Sequence, residues 1–377
     1  MDKYTLMNKT HPVMDVLYDS EIKVFIGLKV IDLRYASPAL VSCDGTTNKG
    51  LLNDWWDDRI VPESRMECPT AKDLIISNLG LSLSDCYWLN PGNLSWKDVN
   101  LFEHGISAMG AKLPDAKYSP VSSTGGNLNK EWYHDGTGWI LVKEGSGTLK
   151  QEAINEVVAT ALHRRLLDYG EYVEYRTLGE KCSCRNMLKN DEELITAWDI
   201  LKNYKRKNDV SPYNHMIDIF HSKTGLDIPY IEQFVSKMFM CDYIIANSDR
   251  HLNNFGFIRN VNTLQYVACA PIFDSGSSLW FDKITLGTLS DYEYRTKPFG
   301  YPPDKQLDLV KYLDWFDGDE LDDYVDEVRN KLGKSSHLDE GRINSVVYGI
   351  QRNINHLIGM LSSGKSYFIS AVNRMSD

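Results

Sequence analysis

The sequence has no apolar run approaching the roughly 18 residues that a membrane-spanning helix needs. Its start, Met1-Asp2-Lys3-Tyr4-Thr5, lacks the basic-then-apolar layout of a signal peptide, so export is not expected and a cytoplasmic location is. Basic residues are not in excess either: 41 Lys and Arg stand against 52 Asp and Glu, for a net charge of −11. Such a chain is poorly suited to coat nucleic acid or anionic membrane over a broad face. No helix-turn-helix with a basic recognition helix is evident, so direct nucleic-acid contact is not expected, nor is membrane contact. Paired cysteines are also missing. The seven cysteines are odd in number and scattered, which fits reduced thiols. Only Cys182 and Cys184 are close-spaced, and C-x-C without a second Cys or His pair is a weak zinc signal. No repeat with a period of roughly 20–50 residues and no low-complexity segment is evident. What is present is ordinary globular composition, 42% hydrophobic and 25% charged, over 377 residues, enough for two or three domains.

Residues 1–115 read as irregular, rich in Trp, Asp and Pro, with one partly alternating stretch over 22–31 that suggests a strand. A polar, small-residue stretch, Ser119-Pro-Val-Ser-Ser-Thr-Gly-Gly-Asn127, separates them from a predicted strand at Trp139–Lys143. Residues 150–167 predict a helix with Ile154, Val157, Val158, Ala161, Leu162 and Leu166 on one face. Short strands are predicted at 172–177 and 181–188. Beyond about 190 the pattern turns mostly helical, with apolar stripes over 231–246, 321–332 and 343–361. This order predicts an α+β, two-lobed fold with an additional N-terminal region. The expected division is an accessory region (1–118), a small β-rich N-lobe (119–188) and a helical C-lobe (189–377).

The most informative stretch is Asn247-Ser-Asp249-Arg250-His251-Leu-Asn-Asn254-Phe-Gly256, where a long apolar helix runs into a polar loop. A predicted hairpin follows, then Pro271-Ile-Phe-Asp274-Ser-Gly-Ser-Ser278. Phosphoryl transfer in kinases needs this set: a loop Asp to orient a hydroxyl, an Asn five residues later on metal, and a second metal-binding Asp beyond a hairpin. Asp249, Asn254 and Asp274 have those offsets. Asp and Asn also cap helix ends and turns, and a lone D-x4-N would be read that way. Two carboxylates and an amide flanking one hairpin favour oxygen ligation of a divalent metal on ATP.

These two segments resemble the HipA-like serine/threonine kinases, distant relatives of the phosphatidylinositol 3/4-kinases, whose signature is N-[ST]-D-R-H-x-x-N-F-G/A followed by [YF]-D-x-x-S. The resemblance covers roughly residues 120–320 and extends to a Ser/Gly loop with a trailing Lys130, to Lys143, and to Asn155-Glu156 on the next helix. The first 115 residues resemble longer members whose role is unassigned. The resemblance implies that Asp249 is the catalytic base or orients the hydroxyl, and that Asn254 and Asp274 hold Mg2+. It implies Lys143 on the α/β-phosphates of ATP with Glu156 pairing to it; Glu152 lies one turn away on the same face. Gly125 and Gly126, lacking Cβ, would let backbone amides approach the phosphates. Ser123 and Thr124 belong to the same nucleotide-facing loop, and Arg250 and His251 either brace the catalytic loop or touch phosphate, with bracing favoured for His251. Ser123, beside Ser122 and Thr124, is the expected autophosphorylation site, where a phosphate would repel those of ATP and eject the loop.

The loop lacks G-x-G-x-x-G, which disfavours an ordinary eukaryotic-type kinase. Gly359-Met-Leu-Ser-Ser-Gly364-Lys365-Ser366 is a formal match to the P-loop pattern. Its setting is a predicted helix rather than a strand, and only eleven residues follow it, so a helix end at Gly364 is expected instead. The expected activity is therefore ATP- and Mg2+-dependent transfer of phosphate to Ser or Thr of a protein substrate, with autophosphorylation. The alternatives are a lipid or small-molecule kinase, or a nucleotide-binding, toxin-like partner of a DNA-binding antitoxin.

Overall fold

The structure, a computed structural model, describes residues 1–60, 71–103 and 129–362. Ser122–Gly126, with the candidates Ser123, Thr124, Gly125 and Gly126, lie outside the described residues, as do Gly364, Lys365 and Ser366. The chain opens with β1 (Asp2–Asn8), β2 (His11–Asp19), β3 (Val24–Val30), α1 (Lys49–Asp58), α2 (Ala71–Ser77), β4 (Tyr87–Asn90) and α3 (Trp96–Val99). Next come β5 (Lys130–His134), β6 (Trp139–Lys143), α4 (Gln151–Leu166), β7 (Arg176–Leu178), β8 (Lys181–Arg185), β9 (Glu192–Thr196) and α5 (Ala197–Leu201). The rest is α6 (Pro212–Thr224), α7 (Ile228–Ile244), β10 (Gly256–Asn260), β11 (Tyr266–Cys269), α8 (Pro303–Leu307), α9 (Tyr324–Leu332) and α10 (Glu340–Ser362). Among the described residues no helix is long and apolar enough to cross a membrane. The chain divides into two compact units, each discontinuous in sequence.

The first unit gathers residues 1–142, 185–206 and 256–268. Where the sequence reads as irregular apart from the strand predicted over 22–31, which is β3, the structure has a four-stranded antiparallel sheet in the order β3-β2-β1-β4. The alternation is hard to see because the register slips between Leu6 and Met7 and again between Leu17 and Tyr18. Each irregularity shifts which side chains face inward and breaks the period of two. Leu6, Met14, Val16, Phe25, Trp55, Trp56 and Leu89 build the core on one face. The strand β9, which the mostly helical reading of this region did not predict, pairs antiparallel with β10. Gly256, the last residue of the signature, begins β10 because nothing larger fits: a Cβ there would lie 2.2 Å from the Ile195 carbonyl oxygen. Gly80 has a positive φ of 67°, and a Cβ would meet the Trp56 ring at 2.7 Å. Gly80→Ala is therefore expected to destabilise this unit by about 2 kcal/mol, combining left-handed strain with overpacking. Urea unfolding followed by tryptophan fluorescence reads this as a lower midpoint at unchanged slope.

The second unit gathers residues 143–184, 207–255 and 269–377. Its α4 helix matches the expected boundaries and the predicted apolar residues are buried, but so is nearly all the rest of the helix. Most of the polar positions on its other side are absorbed by hydrogen bonds, as burial generally requires, although neither ring nitrogen of buried His163 has one. Gln151 donates to Asn155 and to the Leu279 carbonyl, and Arg342 donates back to Gln151. Around α4 pack α7 and α9, with α10 against α7 and α9. The segment Gly359–Ser362 is helical, the last turn of α10, so the P-loop lookalike begins in a helix and not after a strand. Helix α6 starts at an N-cap, Ser211 accepting from Asn214 N–H with Pro212 in the first turn, and stops at left-handed Gly225.

Candidate active site

All of the catalytic candidates that the structure describes lie in the second unit. Lys143 is the last residue of β6, and its side chain points into the unit with only 3% of it exposed. Its three ammonium donors are all engaged: Glu156 Oε1 at 2.6 Å, Asp274 Oδ1 at 2.7 Å and the Tyr175 hydroxyl at 3.1 Å. Burial alone would lower the Lys143 pKa, but the Asp274 and Glu156 carboxylates outweigh it and hold the ammonium charged, well above its usual value. Burial raises the Glu156 pKa, opposed by Lys143. The Tyr175 hydroxyl is pushed well up by burial first and Glu156 second, so it stays protonated.

Glu156 is placed by α4, and its second oxygen accepts the Ser275 backbone N–H at 2.9 Å. One turn-neighbour, Asn155, donates to the Gly276 and Ser278 carbonyls at 2.9 and 2.7 Å. Two consecutive residues of one helix thus hold the 274–278 segment from both sides. Asp274 itself sits at φ 56°, a left-handed backbone that Asp tolerates better than most residues. Strained backbone of this kind persists only where its surroundings over-determine it. The alternative Glu152 is engaged elsewhere, accepting from the Ser146 N–H at 3.0 Å and from the Ser146 hydroxyl. The structure therefore selects Glu156 as the partner of Lys143.

The loop that carries Asp249 and Asn254 begins where α7 stops. Ala246 turns left-handed at φ 52°, and Asn247 N–H reaches back to the Asp242 carbonyl at 2.8 Å. Asp242, 1% exposed, accepts Arg250 Nε and Nη2 side by side at 2.8 Å each, and also the Asn247 amide at 2.8 Å. This two-pronged geometry is the strong form of the guanidinium–carboxylate pair. The other guanidinium donors reach the Asn254 carbonyl at 3.0 Å, the Phe273 carbonyl, and the Ser275 hydroxyl at 2.9 Å. Arg250 is wholly buried, and its charge is held by Asp242 despite the desolvation that opposes it. It acts as a brace joining the loop that carries Asp249 and Asn254 to the segment that carries Asp274.

Within the loop, the Asn254 amide donates to the Asp249 carbonyl at 3.0 Å, and Asp249 N–H donates to Asn247 Oδ1 at 3.1 Å. The Asp249 carboxylate is one-third exposed, and Asp274 is about a quarter exposed; Lys143 and Glu156 are almost fully enclosed. The two loop carboxylates are thus partly open to solvent while the groups behind them are enclosed. His251 is half-buried, with Nε2 3.8 Å from Asp249 Oδ2 and Nδ1 accepting the Asn253 N–H at 3.2 Å. Burial lowers its pKa, partly offset by Asp249. Among the described residues no cluster of three or more His, Cys, Asp or Glu could hold a metal unaided.

Three members of this arrangement escaped the sequence reading. Asp242 lies within the apolar stripe predicted over 231–246, eight residues before Arg250, and a carboxylate at a helix end facing an always-charged guanidinium was a usable signal. Tyr175 and Lys297 approach from distant segments, and no spacing rule points to them. Lys297 places its ammonium 2.6 Å from Asp249 Oδ1.

No protein-family model matches the chain. The serine/threonine-protein kinase CtkA of Helicobacter pylori strain J99 is 30% identical over 180 residues, which are 44% of this chain and 53% of that protein. The chain thus spans about half the length of the curated relative it matches. Among solved structures, HipA of Shewanella oneidensis MR-1, determined with HipB and operator DNA, is 12% identical with a TM-score of 0.55. That match covers 96% of this chain and 99% of the other, and at this identity the likeness is one of fold. A Helicobacter pylori CtkA crystal structure matches at 16% identity and a TM-score of 0.48, over 67% of this chain and 94% of that one.

Proposed function

We propose that this chain, whose sequence kinship and fold support the HipA-like kinase family, transfers the γ-phosphate of ATP to Ser or Thr hydroxyls of a protein. The observation that carries the reading is the buried triad in which Lys143 lies 2.6 Å from Glu156 and 2.7 Å from Asp274. A lysine held between a helix glutamate and a loop aspartate is what positioning of ATP phosphates against a metal requires. The same segments also support the two-lobed reading, with 119–188 as the phosphate-binding lobe, 189–377 as the catalytic lobe and 1–118 as an accessory region.

In this mechanism Lys143 contacts the α/β-phosphates and Glu156 keeps its ammonium aimed. The donor set fits magnesium, which usually takes one or two protein oxygens and fills the rest with phosphate and water. Asp274 offers a partly exposed carboxylate and Asn254 a side-chain amide, tied together through Arg250. Magnesium bound there would neutralise charge developing on the transferred phosphoryl. Asp249 orients the acceptor hydroxyl and receives its proton as the new O–P bond forms and the bond to ADP breaks. Catalysis is then positioning and charge stabilisation, with little covalent chemistry asked of the protein.

A second reading concerns a partner. The fold is shared over nearly the whole chain with HipA, a protein determined in complex with HipB and operator DNA. That supports an antitoxin-like protein partner for this chain, through which any DNA contact would be made. It is compatible with kinase activity and does not replace it.

Incubation of the purified protein with γ-labelled ATP, with Mg2+ or with EDTA, tests the kinase reading. Label on protein Ser or Thr only when Mg2+ is present is the expected result, and phosphopeptide mapping is expected to find part of it on Ser122–Thr124. Label absent from protein but found on added phosphoinositide or small alcohols would replace the protein-kinase reading with the lipid or small-molecule one.

A further inference from the structure

The structure assigns Lys297 a role in the reaction: we propose that it is the cation on the acceptor side of the site, contacting the transferring γ-phosphoryl group while holding Asp249. The inference rests on the kinase reading above. An ammonium 2.6 Å from Asp249 Oδ1 is fixed next to the atom that would hold the acceptor hydroxyl. That hydroxyl must come within about 3–3.5 Å of the phosphorus to react. The γ-phosphoryl therefore lies one hydrogen bond and one near-attack distance from Asp249, within the sweep of a lysine side chain.

Among the described residues, two other cations of the site are held by other carboxylates. Lys143 serves Glu156 and Asp274. Arg250 is wholly buried against Asp242. Among the described residues, Lys297 is the cation whose ammonium is paired with the Asp249 carboxylate at 2.6 Å, on the side where charge develops on the phosphoryl oxygens facing the acceptor.

Lys297 is also held more firmly than an ordinary surface lysine. It sits at the tip of a turn in which Thr296 and Tyr301 pair as an antiparallel bridge. Thr296 N–H and hydroxyl both donate to the Tyr301 carbonyl, at 2.8 and 3.0 Å, and Gly300 N–H returns to the Thr296 carbonyl at 2.8 Å. Phe299, within the turn, meets Phe239 of α7 edge to face, 6.3 Å between centroids. The helix that delivers the catalytic loop thus also anchors the turn that delivers the lysine. A half-exposed ion pair adds little to stability, so a structural purpose alone does not account for this anchoring.

The test compares wild type, Lys297→Met and Lys297→Arg as full chains. Affinities for Mg-ADP and for the non-hydrolysable ATP analogue AMP-PNP are measured by calorimetry, beside the rate of phosphoryl transfer. Lys297→Met is expected to weaken AMP-PNP roughly tenfold, the value of one charge-assisted hydrogen bond, and to leave ADP within twofold. Transfer should fall about a hundredfold, as when one transition-state donor is removed. Lys297→Arg should recover part of both losses. Selective loss of AMP-PNP affinity is a readout that a merely structural role would not move. Equal affinities for both nucleotides with transfer at or above the wild-type rate would overturn the assignment while the kinase reading stood. Absence of Mg-ATP-dependent transfer in the wild type itself would end both.

Discussion

Asp249→Asn is expected to bind Mg-ADP as the wild type does and to transfer phosphate about a thousandfold more slowly. The substitution keeps the size of the side chain and one acceptor oxygen, but removes the basicity needed to receive the hydroxyl proton. It should not disturb the loop. The hydrogen bonds that shape it use the Asp249 backbone, accepting from Asn254 and donating to Asn247, and the Arg250–Asp242 pair behind it. The Lys143, Glu156 and Asp274 triad is held by its own ion pairs and by Tyr175 and Ser275, so nucleotide binding has no reason to change. Loss of the pair with Lys297 costs little, because that pair is half-exposed. Rapid-quench measurement of transfer with a fluorescent ADP analogue for affinity separates the two effects. Wild-type turnover in the variant would remove Asp249 from the chemistry and with it the kinase assignment of this loop.

Much of this site was legible because its residues are close in sequence. The motif around Asp249 and Asn254 spans one helix end and one hairpin, so its spacing survives folding almost unchanged. Lys143 and Glu156 were also within reach, since only a short loop and the start of α4 separate them. The structure resolved what spacing left open there: Glu156 and not Glu152 faces Lys143, and Glu152 instead caps the loop at Ser146. Tyr175 and Lys297 were not legible, because each is brought in by tertiary structure from a segment with no distinctive pattern. In the fold, the boundaries of α4 could be anticipated but not its burial on all sides, because that depends on Gln151, Asn155 and Arg342 finding partners far along the chain. The N-terminal sheet was hidden for a different reason. Two register slips broke its alternation, and strand-like periodicity is the only local sign that such a sheet leaves.

Lys143→Met should lose both transfer and stability, and the two losses should be separable. Removing the ammonium leaves the Glu156 carboxylate buried with Asp274 nearby and no compensating charge, which costs about 3–5 kcal/mol. The deficit should depend on pH, and its sign follows from Glu156. Burial raises its folded pKa, and Lys143 is the main group opposing that rise. Without Lys143 the folded pKa climbs further above the unfolded value, so the folded state binds a proton that the unfolded state releases. Stability contributed by such a group is present below the unfolded pKa and is lost as pH rises through the folded one. Lys143→Met should therefore be closer to wild type at pH 5 than at pH 8 in urea unfolding. Adding Glu156→Gln should recover most of the stability at pH 8 without restoring transfer, because the neutral amide no longer needs the ammonium but ATP still does. Asp274→Ala should behave differently: the Lys143–Glu156 pair remains, the stability lost is the left-handed strain of Ala at φ 56°, about 1 kcal/mol, and transfer is abolished. If the double variant were as unstable as Lys143→Met alone, the triad would not be organised around a buried charge balance. If Asp274→Ala kept wild-type transfer, Asp274 would have no place in the phosphate site.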